Sequence, residues 1–213
     1  MDDSAIKTLL SRFPCSKIEA TGNTRTCPVR LSFPNIFKPG KAMEEGKEPK
    51  YGVTLLFPRG ANIALLRSAA EATAAEKFGN DWKSRRLTFP FRDQGEKSFA
   101  GYEAGCVFLN ATSTKRPGVV NRDGSQLSDP EALYPGVWAL VTLRPFAYDS
   151  KLKKGVSFGL QNVQKLCDGE RLSGGYSDPA KDFGPIDGLD DLDALLAGSG
   201  NGGSEGGEAY DFG

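Results

Sequence analysis

The 213-residue chain contains no histidine. That removes the imidazole base of Ser-His-Asp and Cys-His nucleophile systems, and the ligands of metalloprotease helices and zinc deaminases. Four cysteines, Cys15, Cys27, Cys106 and Cys167, stand at least twelve residues apart, with no Cys-x-x-Cys. Four-thiolate zinc sites usually arrive as two close pairs, so these read as reduced thiols serving as small apolar groups. Asp93, Glu96 and Lys97 come together in Arg-Asp-Gln-Gly-Glu-Lys. Such carboxylates could hold Mg²⁺ beside a cation and cut phosphodiesters. Their spacing departs from the common Asp…Glu-x-Lys nuclease pattern, which favours a charged turn. No phosphate-cradling glycine loop is present. The nearest equivalent, Lys115-Arg116-Pro117-Gly118, reads as a phosphate-contacting turn or as a plain hairpin turn. No catalytic residue, metal site or cofactor is expected.

What remains is a pattern of cations interleaved with rings. Residues 34–49 hold Phe37 with Lys38, Lys41 and Lys47. Residues 80–105 hold Trp82, Phe89, Phe91, Phe99 and Tyr102 with Lys83, Arg85, Arg86, Arg92 and Lys97. Residues 115–135 add Lys115, Arg116 and Arg122, and Phe146 and Tyr148 precede Lys151, Lys153 and Lys154. Sequence-tolerant binding of single-stranded nucleic acid needs cations along the backbone and rings on which bases stack. The alternative is that the rings are core and the cations ordinary surface.

The formal net charge is zero, but it is divided. Residues 182–213 carry eight acids and no base, which leaves 27 bases against 19 acids in residues 1–181. The tail also holds nine glycines and cannot bury enough apolar surface to offset chain entropy, so disorder is expected. Asp190, Asp191 and Asp193 head a segment able to form one or two helical turns. Tyr210, Asp211 and Phe212 place aromatics among acids, as a docking tip or a merely solubilising end.

Five segments alternate as strands: 29–33, 51–57, 106–114, 136–148 and 155–166. In the first, Val29, Leu31 and Phe33 share the apolar face and Pro34 stops the run. Ile63, Leu66, Ala70, Ala74 and Phe78 recur at helical spacing between a capping Asn62 and Gly79. The expected fold is mainly β, a five-stranded OB-fold barrel with one α-helix and long loops, followed by a disordered acidic C-terminal tail. The expected organisation is a 1–27 extension, a 28–181 barrel and a 182–213 tail. No stretch approaches 18 consecutive apolar residues and no signal sequence opens the chain, so a cytoplasmic location is expected.

Several stretches, taken in order over residues 28–183, resemble phage-encoded single-stranded DNA-binding proteins with an OB-fold. They include Arg30-Leu31-Ser32-Phe33-Pro34-Asn35-Ile36-Phe37, Tyr51-Gly52-Val53-Thr54-Leu55-Leu56-Phe57-Pro58 and Pro90-Phe91-Arg92-Asp93. Lys115-Arg116-Pro117-Gly118-Val119-Val120, Tyr134-Pro135-Gly136 and Phe146-Ala147-Tyr148-Asp149 follow, then Gly155-Val156-Ser157-Phe158-Gly159-Leu160-Gln161-Asn162-Val163-Gln164. The resemblance implies non-catalytic strand protection in phage DNA replication and recombination, in the host cytoplasm. It also implies an acidic tail that recruits polymerase, helicase or primase and competes with DNA. Such tails typically end on the aromatic, whereas here Gly213 follows Phe212.

The residue-level expectations are these. Phe91, Phe108 and Tyr148 stack bases. Arg30, Lys50, Arg92, Lys115, Arg116, Lys151, Lys153 and Lys154 contact phosphates. The tail residues Asp190, Asp191, Asp193, Tyr210, Asp211 and Phe212 meet protein partners. Weak duplex binding could accompany the main activity, and no membrane is involved. The rival readings are a phage virion or assembly protein that binds no DNA and, more remotely, a metal-dependent nuclease.

Overall fold

The computed structural model describes residues 2–41, 48–150 and 152–172. The chain divides into two units, Met1–Gly174 and Gly175–Gly213, and the described residues lie in the first. Lys151 and the tail residues Asp190, Asp191, Asp193, Tyr210, Asp211 and Phe212 fall outside them.

In chain order the elements are α1 (Asp3–Arg12), β1 (Ser16–Ile18), β2 (Asn23–Arg25), β3 (Val29–Asn35), β4 (Tyr51–Leu56), α2 (Ala64–Phe78), β5 (Arg92–Asp93), β6 (Val107–Ser113), β7 (Gly118–Val120), β8 (Trp138–Asp149) and β9 (Lys154–Cys167). Five strands close a ring. β3 pairs with β4, β4 with β6, β6 with β9, β9 with β8, and β8 returns to β3. Every pairing in the ring is antiparallel except β6 with β9. This is the five-stranded OB barrel. Its interior is filled by the inward residues of each strand: Val29 and Leu31, Val53 and Leu55, Leu109 and Ala111, Val141 and Leu143, and Val156, Phe158 and Leu160. Inward and outward positions alternate because the strand period is two, so one buried set fixes which side chains face water.

α2 lies between β4 and β6 in sequence and buries Leu66, Ala70, Ala74 and Phe78. Ile63, the first of the five expected core positions, is also buried. Burying a Leu or Phe side chain stabilises by about 1.5–3 kcal/mol, enough to hold a helix whose outer face is polar. Asn62 Oδ1 accepts from the Ala64 N–H at 3.0 Å at its start. Pro145 sits in β8 beyond the last residue paired with β2, so its missing N–H costs no ladder bond on that side.

Two features exceed the sequence-based expectation. A second helix, α1, lays Ile6 and Phe13 on a small cluster of Trp138, Leu140 and Leu166. The β1–β2 hairpin extends the sheet along β8. All four cysteines are free thiols. The Cys27 N–H donates to Cys15 Sγ at 3.1 Å. Hydrogen bonding from Cys27 lowers the Cys15 pKa to about 7.

Candidate nucleic-acid interface

The outward positions of β4 and β6 form a floor almost without bulk. Thr54 faces Asn110 in register, and its Oγ1 donates to Asn110 Oδ1 at 2.7 Å. Gly52 faces Thr112, Thr112 faces Gly159 of β9, and Gly159 faces Arg144 of β8. This row crosses four strands and has no side chain at two of its four positions. Over the β4–β6 half lies a groove of about 520 Å³, with Phe33, Asn35, Lys41, Glu48 and Lys50 on its wall. An open groove with exposed polar groups and little bulk admits an extended chain more readily than a compact ligand.

Rings flank the floor. Phe33 was expected on the apolar face, but a register shift between Ser32 and Asn35 turns it outward, and strand pairing continues past Pro34. The residue adopts φ +48°, the one non-glycine residue with positive φ among those described, and is 53% exposed. Bulges re-aim side chains in this way, and such strain recurs at functional sites. Phe33 meets Phe99 at 5.3 Å between centroids, Phe99 meets Tyr102 at 5.5 Å, and Tyr102 meets Phe108 at 5.9 Å, all edge-on. Across the floor, Phe146 is 44% exposed and stands opposite Ser157. Tyr148, half-buried, stands two residues further along the same face of β8.

The segment carrying Phe99 and Tyr102 is tied down by polar groups. Gln94 Nε2 donates to the carbonyls of Phe57 and Val107, and its Oε1 accepts from the Glu103 N–H. Asp93 Oδ1 accepts from the N–H groups of Gly95 and Gly105. Asp93 thus closes its own turn, and Glu96 pairs with Arg92. Both carboxylates are engaged within their own loop.

The other expected residues fall in several places. Lys50 lines the groove. Phe108 occupies the outer face but is 2% exposed, under Tyr102 and an Arg92 guanidinium 5.1 Å from its ring. Phe91 packs edge-on against core Phe158 and is covered by Arg67. Arg30 is half-buried and donates to the Glu170 carbonyl at 2.7 Å; burial lowers its pKa, opposed by Glu170 and Glu103. Arg116 lies over Phe37 at 5.4 Å beside exposed Lys115. Lys153 and Lys154 are exposed at the β8–β9 turn, where Lys154 pairs with Asp149 at 3.1 Å. Phe33 and Arg144 were missed as site candidates; Phe99 and Phe146 were noted only among the rings. The available signal was Pro34 directly after Phe33, which marks a bulge or strand end.

A family model described as Enterobacter phage Enc34, ssDNA-binding protein, matches residues 22–194. The chain belongs to this family. Protein p50 of Acyrthosiphon pisum secondary endosymbiont phage 1 is 30% identical over 166 residues, which is 73% of this chain and 89% of that protein. The single-stranded DNA-binding protein of bacteriophage Enc34, solved in complex with ssDNA, superposes with a TM-score of 0.60 at 26% identity. That match covers 76% of this chain and 98% of the other. The gp2.5 single-stranded DNA-binding protein of bacteriophage T7 gives a TM-score of 0.50 at 14% identity, covering 72% and 96% of the two chains. At that identity the likeness is one of fold. Among the described residues no helix is long and apolar enough to cross a membrane.

Proposed function

We propose that this chain binds single-stranded DNA without sequence preference and without catalysis, in the groove over β4 and β6. The observation that carries the reading is the low floor of Gly52, Thr54, Asn110, Thr112 and Gly159 between exposed rings on both sides. Bases stack on Phe33, Phe99 and Phe146, and Tyr148 continues that face. Lys50, Arg144, Lys115, Arg116, Lys153 and Lys154 hold phosphates, and Lys151 is assigned the same role from the sequence alone. Family membership supports the ligand class. The chain serves phage DNA replication and recombination in the host cytoplasm. Residues 28–181 form the DNA-binding body and 1–27 buttress it. Residues 182–213 act as an acidic tail that recruits replication proteins and competes with DNA.

The test is fluorescence anisotropy of labelled oligo-dT. Each stacked base contributes about 1–3 kcal/mol. Phe33→Ala and Phe99→Ala should therefore each weaken binding by at least about fivefold. Wild-type affinity in both variants would contradict the groove. Both tryptophans lie away from the floor, Trp138 under α1 and Trp82 against Phe89, so a label on the DNA is the better reporter.

A further inference from the structure

Residues Asp168–Leu172 run from the end of β9 back across the barrel, and their anchoring is unusually dense. Lys165 pairs with Asp168 at 2.7 Å, and Lys165 is the main reason the Asp168 carboxyl titrates below its ordinary range. The Tyr134 hydroxyl donates to Asp168 Oδ1 at 3.1 Å and accepts from the Gly169 N–H at 3.2 Å. The Arg171 guanidinium lies 4.1 Å from the centre of the Tyr134 ring. The Leu172 N–H donates to the Pro135 carbonyl at 2.9 Å. Backbone approaches backbone so closely that a Cβ on Gly136 would overlap the Glu170 carbonyl, and one on Gly169 would overlap the Gly136 carbonyl.

This strap ends on the aromatic loop. A Cβ on Gly101 would overlap Leu172 Cδ2 and stand 3.4 Å from an Arg30 guanidinium nitrogen. Gly101 has φ +77° and sits between Phe99 and Tyr102. Arg30 itself is held by the Glu170 carbonyl of the strap. One side of the loop therefore rests on Leu172 and Arg30, and the other presents Phe99 to Phe33 at the groove.

We infer that the strap is a positioning element of the DNA interface: Leu172, seated on Gly101, holds the Phe99–Tyr102 loop so that Phe99 meets a base. Leu172 touches no base and acts through Phe99. The inference rests on the groove reading and assigns it a second support that β-strand register does not supply. A preorganised ring binds more tightly than one ordered only on contact.

The experiment is a double-mutant cycle in the full chain. Oligo-dT affinity is read by anisotropy for wild type, Leu172→Ala, Phe99→Ala and the pair, with hydrogen exchange of the 99–105 amides in the free proteins. Leu172→Ala should weaken binding about two- to tenfold in the wild-type background and have little effect once Phe99 is gone. It should speed exchange at 99–105 while barrel amides keep their protection. Additive losses, or unchanged exchange at 99–105, would overturn the strap's role. If Leu172→Ala lost barrel protection, Tyr134→Phe, which removes the hydroxyl bonds to Asp168 and Gly169 and leaves the Lys165–Asp168 pair, would replace it in the same cycle. Wild-type affinity in Phe99→Ala would instead overturn the groove reading on which the inference rests.

Discussion

Phe33 combines a left-handed backbone with a half-exposed ring, in a strand whose neighbours Leu31 and Ser32 are buried. Packing alone does not account for the combination, because a left-handed non-glycine residue costs about 1–2 kcal/mol and the ring buries little in return. The expected signature is an inverted residue preference. Phe33→Gly should be more stable than Phe33→Ala by about 1 kcal/mol in thermal or urea unfolding, whereas an ordinary strand position prefers Ala. Both variants should lose DNA affinity. Ala equal to or more stable than Gly would mean that the backbone at this position carries no strain. Phe108 teaches the complementary lesson. Its outward parity was legible in the sequence, yet Tyr102 and Arg92 cover it. Alternation reports the face of a strand and is silent about the loop that folds over that face.

At the scale of elements, the five barrel strands and α2 were legible because each carries several apolar residues at its own period. Val53 and Leu55, Leu109 and Ala111, and Leu66, Ala70 and Ala74 are all buried as their spacing requires. β1 and β2 were not legible, since Ser16-Lys17-Ile18 and Asn23-Thr24-Arg25 are too short to show alternation. α1 was missed because it buries no residue fully and offers only a thin stripe to the Trp138 cluster. That stripe has a measurable consequence. Phe13→Ala should lower the melting temperature through a loss of about 1–2 kcal/mol and shift Trp138 emission to the red. Oligo-dT affinity should change far less than in Phe33→Ala or Phe99→Ala, because α1 contributes no residue to the groove, although Asp3 and Ile6 share a pocket with Gly101 and Glu170. An unchanged melting temperature would remove α1 from the account of stability.

For the whole molecule, charge is the organising fact. Residues 1–181 carry an excess of eight positive charges and residues 182–213 eight negative ones. The competition proposed above requires these 32 residues to reach the groove, and a Gly-rich linker of 32 residues has an r.m.s. span of about 30 Å. Tethering gives an effective concentration of roughly millimolar. A chain ending at residue 181 should therefore bind oligo-dT more tightly than the full chain at low salt. The difference should shrink as salt rises, since the screening length falls from about 30 Å at 0.01 M to about 3 Å at 1 M. Equal or weaker binding by the shortened chain would argue against competition.

The central claim concerns where the strand lies, and hydrogen exchange with and without saturating oligo-dT locates it. The account predicts protection gained at residues 33–37, 99–105, 108–113 and 144–148, with α1 and α2 unchanged. Protection confined to the helices, or none anywhere at a DNA concentration that saturates binding, would contradict it.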